Sequence, residues 1–71
     1  MDTKVKLFDV VALAEDLPEE KLVRGQVGAV VEVLGPGVFE VEFCDNEGRT
    51  YAMAAIQEEK LILLHYAPAA A

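Results

Sequence analysis

The chain is predicted to be an all-β domain, a small five-stranded barrel. Three observations carry that expectation. Val38-Phe39-Glu40-Val41-Glu42-Phe43 alternates apolar and acidic residues with a period of two, the signature of a strand with one face in a core and one in water. Two strong turn signals, Gly35-Pro36-Gly37 and Asp45-Asn46-Glu47-Gly48, bracket that run. Further short apolar segments lie on either side, and at 71 residues closing the strands into a barrel is the economical way to remove sheet edges.

This length allows one domain, read as residues 1–66 followed by a disordered tail at 67–71. Cys44 is the only cysteine and His65 the only histidine, so neither a disulfide nor a zinc site is expected to hold the fold. The core must come from apolar side chains, which make up 54% of the chain, enough that some are expected to stay exposed or to meet a partner.

Met1 to Lys6 is expected to be polar and frayed. Leu7 to Leu13 is the first strand, with Val11 and Leu13 inward and Asp9 on the same side. Glu15, Asp16, Glu19 and Glu20 then surround Leu17-Pro18, where proline stops strand pairing and suits the first position of a helical turn. This segment is either a solvated connection or an acidic recognition loop, with Leu17 and Leu22 or Val23 folding back over one end of the barrel. Gly25 and Gly28 frame the second strand, and glycine within a strand marks a bulge or a close backbone approach. They lack the third glycine, the helix and the distal acid of a dinucleotide site.

Around Gly35-Pro36-Gly37, placing Leu34 opposite Val38 aligns Val33 with Phe39, Val31 with Val41 and Ala29 with Phe43 on a core face. The other face sets Glu32 opposite Glu40, with Glu42 two residues on, a like-charge arrangement that costs up to about 1 kcal/mol. These carboxylates are poor catalytic acids, because an open strand face offers no difference in environment to split their pKa values. Asp45 to Gly48 fits a type I turn with Gly48 left-handed before a bulge. That register sets Phe43 against Tyr51 and Val41 against Met53 in the core, and Glu40 and Glu42 beside the small residues Ala54 and Ala52 outside. The flat outer face is then a docking surface, or is crossed by the N-terminal segment or the tail.

Gln57-Glu58-Glu59-Lys60 suits one 3₁₀ turn. Leu61 to Tyr66 is the last strand, apolar on both faces, and either closes against the first strand or forms a seam between copies. His65 and Tyr66 are read as rim residues.

Several of these segments together resemble a known family. Leu7-Phe8-Asp9-Val10-Val11-Ala12-Leu13, Glu15-Asp16-Leu17-Pro18-Glu19, Arg24-Gly25-Gln26-Val27-Gly28, Glu40-Val41-Glu42-Phe43 and Gly48-Arg49-Thr50-Tyr51-Ala52 are similar to the small bacterial family DUF4926 over Lys6 to Leu64. The resemblance implies an SH3-like barrel and no activity assignable to any residue. Its members' small uncharacterised neighbours would suit a partner-binding, antitoxin-like or immunity-like role. Gly25 to Val33 more loosely resembles the loop–strand element of KOW domains, which bind RNA or ribosomal and transcription proteins, but Glu32, Glu40 and Glu42 stand where such a binder needs Lys or Arg.

The formal net charge of −7, with six scattered basic residues, argues against nucleic acid and for a basic protein partner. Met1 is followed by charged residues, with no apolar run of signal length before Glu15. No stretch is long and apolar enough to span a membrane, so the cytoplasm is the expected location. The expected function is a non-enzymatic protein-interaction module without cofactor or metal. It presents Glu15, Asp16, Glu19, Glu20, Glu32, Glu40 and Glu42 to a basic protein. The alternatives are a homo-oligomer built through Leu61–Tyr66 and a KOW-like nucleic-acid-binding domain.

Overall fold

The computed structural model describes residues 5–65 and Pro68. Five strands, β1 (Val10–Leu13), β2 (Val27–Gly35), β3 (Val38–Cys44), β4 (Thr50–Gln57) and β5 (Leu61–Leu63), form one antiparallel sheet in the order β4-β3-β2-β1-β5. Two 3₁₀ turns, Pro18–Glu20 and Glu58–Lys60, join β1 to β2 and β4 to β5. The sheet curls so that Val11 and Leu13 of β1, Val30 of β2, Phe39, Val41 and Phe43 of β3, and Ala54 and Ile56 of β4 share one buried cluster. This is the expected all-β architecture, a small SH3-like barrel, but its sheet is not closed: β4 and β5 end it without pairing to each other.

The local signals act as their chemistry requires. Pro36 and Gly37 make a two-residue turn, with Gly37 at φ +70° supplying the positive φ that a proline–glycine turn needs at its second position. Gly48 (φ +82°) takes the left-handed position after Asp45, and its N–H donates to the Asp45 carbonyl at 3.0 Å. Pro18 opens the first 3₁₀ turn, and Glu58–Lys60 forms the second, as expected. Gly28 meets the predicted close approach: a Cβ there would lie 2.7 Å from the Glu42 carbonyl oxygen.

The register departs from expectation at bulges. Glu32↔Glu40 and Val33↔Phe39 pair as anticipated, but Val31 is an extra residue, so Val30 rather than Val31 pairs with Val41 and Gly28 rather than Ala29 with Phe43. A second extra residue, Leu34, leaves Gly35 opposite Val38. Between β3 and β4, Cys44↔Thr50 holds, Tyr51 is extra, and Phe43 then pairs with Ala52 and Val41 with Ala54. Tyr51 (47% exposed) and Met53 (49%) are therefore not core residues; Ala52, Ala54 and Ile56 take that face. Ala29 and Val33 likewise leave the predicted core, Ala29 by facing Glu42 across the ladder and Val33 by lying half-exposed although it pairs with Phe39. A bulge adds one residue to one strand, bending it and inverting the alternation beyond it. These bulges lie on the strands flanking β3, where the sheet must curl around Phe39 and Phe43.

The N-terminal segment differs too. Val5 is buried in the core rather than frayed, and its N–H donates to the Glu58 carboxylate at 3.2 Å. Lys6 to Asp9 is a turn, not strand: the Asp9 carboxylate accepts the Lys6 N–H at 2.9 Å, and Phe8 sits at φ +72°. The strand begins at Val10, with Val11 and Leu13 buried as expected. Leu61–Leu63 pairs with β1, so the last strand does close against the first. Tyr66 and the proposed tail, except Pro68, fall outside the described residues.

Candidate acidic surface

The seven carboxylates proposed from sequence separate into two groups. The loop group hangs on a pinned hairpin. Leu17 and Leu22 form an isolated antiparallel bridge, with backbone bonds of 2.9 and 3.1 Å in both directions. Leu22 is buried in the core, Leu17 packs against it, and Val23 stays exposed. Lys21, left-handed at φ +60°, ends the 3₁₀ turn by donating its N–H to the Pro18 carbonyl. Glu19 and Glu20 are thereby held out into solvent on a fixed turn.

Within this group, two residues serve the loop itself. The Asp16 carboxylate accepts the Arg24 N–H at 2.8 Å. Glu15 lies 3.8 Å from Lys60 Nζ. Glu19 and Glu20 make no ion pair or side-chain hydrogen bond among the described residues, leaving their charge unneutralised.

The sheet group lies on the outer face of β2 and β3. Glu32 and Glu40 are direct cross-strand partners. Glu42, on the same face, accepts the Thr50 hydroxyl at 2.6 Å. Because of the Tyr51 bulge, Glu40 is flanked on β4 by Ala55 and Glu42 by Met53, not by Ala54 and Ala52. The face is low beside Glu40 and raised beside Glu42.

Among the described residues no cation is paired with this strip. Among the described residues the ion pairs join Lys6 to Asp9, Lys60 to Glu15, and Arg49 to Asp45 and Glu47. Arg49, on the turn beside Glu42, is held by Asp45, whose carboxylate also accepts the Arg49 and Glu47 N–H groups. These bonds, the one from the Arg49 backbone foremost, hold the Asp45 carboxyl below the usual Asp range.

The sequence did not anticipate what lies between the two groups. A cleft of ≈ 490 Å³ separates the loop from the end of β4, lined by Asp16, Glu19 and Glu20 from the loop, by Ala55, Ile56 and Gln57 from β4, and by Lys60, the ion-pair partner of Glu15. The residues meeting there are far apart in the chain, and only the curl of the sheet brings them together. Ala55 lines this cleft and is also the β4 partner of Glu40. The exposed β4 strand thus runs between the loop carboxylates and the sheet carboxylates.

Among the described residues no group of three or more His, Cys, Asp and Glu side chains is placed to hold a metal ion, and no helix is long and apolar enough to cross a membrane. His65 and Cys44 are exposed, and the Cys44 sulfur lies 3.7 Å from the Thr50 hydroxyl. No curated protein and no solved structure matches the chain. The family model described as Domain of unknown function (DUF4926) matches residues 7–63, from the turn before β1 to the end of β5. That span takes in every strand and both acidic groups, and the chain belongs to the DUF4926 family.

Proposed function

We propose that this domain is a non-enzymatic interaction module that binds a basic protein through its acidic surface, in the manner of an antitoxin or immunity protein that covers a cationic partner. The observation that carries the proposal is the Glu32–Glu40 pair. Two carboxylates face each other across β2 and β3 with no cation beside them among the described residues. Directly opposed like charges cost a sheet up to about 1 kcal/mol. A partner bringing Lys or Arg to this face would convert that repulsion into attraction. Glu19 and Glu20, fixed on the pinned loop, add charge at the other side of β4.

Attraction of this kind chiefly raises the association rate and weakens with salt. The test is a pull-down from the native host at low and high salt, run beside a Glu32→Lys/Glu40→Lys variant. Recovery of a basic protein that is lost both at high salt and with the variant is the expected result. Recovery of no basic protein, or binding indifferent to salt and to charge inversion, would remove the proposal. Cytoplasmic location fits the lone unpaired cysteine, and fractionation of the host tests it.

A further inference from the structure

Given a basic partner as proposed above, we infer that it docks as an extended segment adding a sixth strand to the free edge of β4. Three independent features converge there. β4 is a terminal strand of an unclosed sheet, and it pairs only with β3 among the described residues. Its edge therefore offers unpaired backbone donors and acceptors over eight residues.

The second feature is the sequence of that edge. Thr50-Tyr51-Ala52-Met53-Ala54-Ala55-Ile56-Gln57 contains no charged residue and no proline. Soluble proteins ordinarily protect a long edge with lysine, proline or brevity. β5, the opposite end of the sheet, follows that rule by brevity, with only three residues. In a chain with 13 acidic and six basic residues, an eight-residue edge free of charge stands out.

The third feature selects the occupant. A strand added to β4 enters the cleft whose far wall carries Asp16, Glu19 and Glu20. Strands lie about 4.8 Å apart, so its outward side chains stand about 10 Å from the β3 row holding Glu40 and Glu42. Ala55 presents only a methyl group between them, so an extended Lys or Arg can cross it to Glu40. Lys60 also lines the cleft but is paired with Glu15, so the carboxylates on both sides still favour a segment with Lys or Arg at alternate positions and apolar residues between. A second copy of this chain is disfavoured, since each carries a net charge of −7. Backbone pairing then supplies affinity, and alternate side chains supply selectivity.

The test must separate this docking mode from the electrostatic proposal on which it rests. The probes are an end-blocked peptide alternating lysine and valine, matched to the length of β4, and spermine, which carries the same positive charge without peptide groups. Binding to the whole labelled chain is followed by NMR, with amide hydrogen exchange measured along β4. The peptide is expected to slow exchange at alternate β4 amides by about tenfold or more, spermine to leave it unchanged, and Ala55→Lys to weaken peptide binding by about tenfold. If both probes shift the Glu19, Glu20 and Glu40 signals while β4 exchange is unaffected, the added strand is overturned and the acidic-surface proposal stands. If neither binds at low salt, both are overturned. Protection of β4 that appears without peptide and grows with protein concentration would assign the edge to a second copy and overturn the inference.

Discussion

Glu32 on β2 and Glu40 on β3 are direct cross-strand neighbours on the outer face, while their adjacent residues Val33 and Phe39 pair on the inner one. The same ladder that buries Phe39 therefore forces two carboxylates together. Glu42, the next outward residue on β3, is bound by the Thr50 hydroxyl, which leaves the Glu32–Glu40 pair as the unrelieved part of the strip.

Replacing Glu40 with lysine turns this repulsion into an opposite-charge pair. Glu40→Lys is expected to raise stability by about 0.5–1 kcal/mol in urea unfolding at low salt, with the gain shrinking as salt is added. A loss of stability would mean that Glu40 already serves a structural contact.

Gly28 is a position where packing admits only hydrogen. A Cβ would lie 2.7 Å from both the Glu42 carbonyl oxygen and a Val41 methyl, so β2 and β3 would have to part. Gly28→Ala is expected to cost about 1–3 kcal/mol in denaturant unfolding. Gly25 makes the useful comparison: nothing lies within 4 Å, and only its φ of +92° resists a side chain, so Gly25→Ala should cost about 1 kcal/mol. Equal costs at the two sites would contradict the close approach at Gly28.

Phe8 combines a positive φ of +72° with 75% exposure, so its ring contributes little packing while its backbone sits where a bulky residue is strained. Asn adopts this conformation more readily. Phe8→Asn is expected to stabilise the chain by about 0.5–1 kcal/mol, read as a shift in the urea midpoint at constant slope. A substantial loss would reveal a packing role for the ring.

Asp45 titrates lower in the folded chain than in the unfolded one. Its contribution is therefore fully present above the ordinary Asp pKa and is lost as the pH falls through the depressed folded value. Asp45→Asn should melt at a lower temperature than the parent at neutral pH, and the two melting temperatures should converge in acid. A difference that persists undiminished at low pH would show that the turn depends on the shape of the side chain rather than on its charge.

Much of this molecule was legible locally. Gly37 and Gly48 fix turns through φ values that other residues resist, Pro18 starts a helical turn because its ring presets φ, and the alternation of Phe39, Val41 and Phe43 identifies a half-buried strand. Each depends on a few neighbouring residues. The seven acidic candidates could be named in the same way, as exposed positions on a loop and on one strand face.

Bulges and distant contacts follow a different rule. Val31, Leu34 and Tyr51 became extra residues because a sheet this small must bend sharply to wrap Phe39 and Phe43, and a bend is a property of the whole sheet. One added residue inverts the alternation beyond it, which moved Tyr51 and Met53 to the surface and set Ala55 beside Glu40. Val5 entered the core for a related reason: the barrel left space there that only a residue remote in sequence reaches. The sequence by itself determined the number and order of the strands and the turns at Pro18, Gly37 and Gly48, though not where the first strand begins, since backbone dihedral preferences act between neighbours. The tertiary structure alone decided how those strands slide past one another, which side chains the bend brings together, and that a bare strand edge lies between two groups of carboxylates, because curling an open sheet around a core couples residues that are distant in the chain.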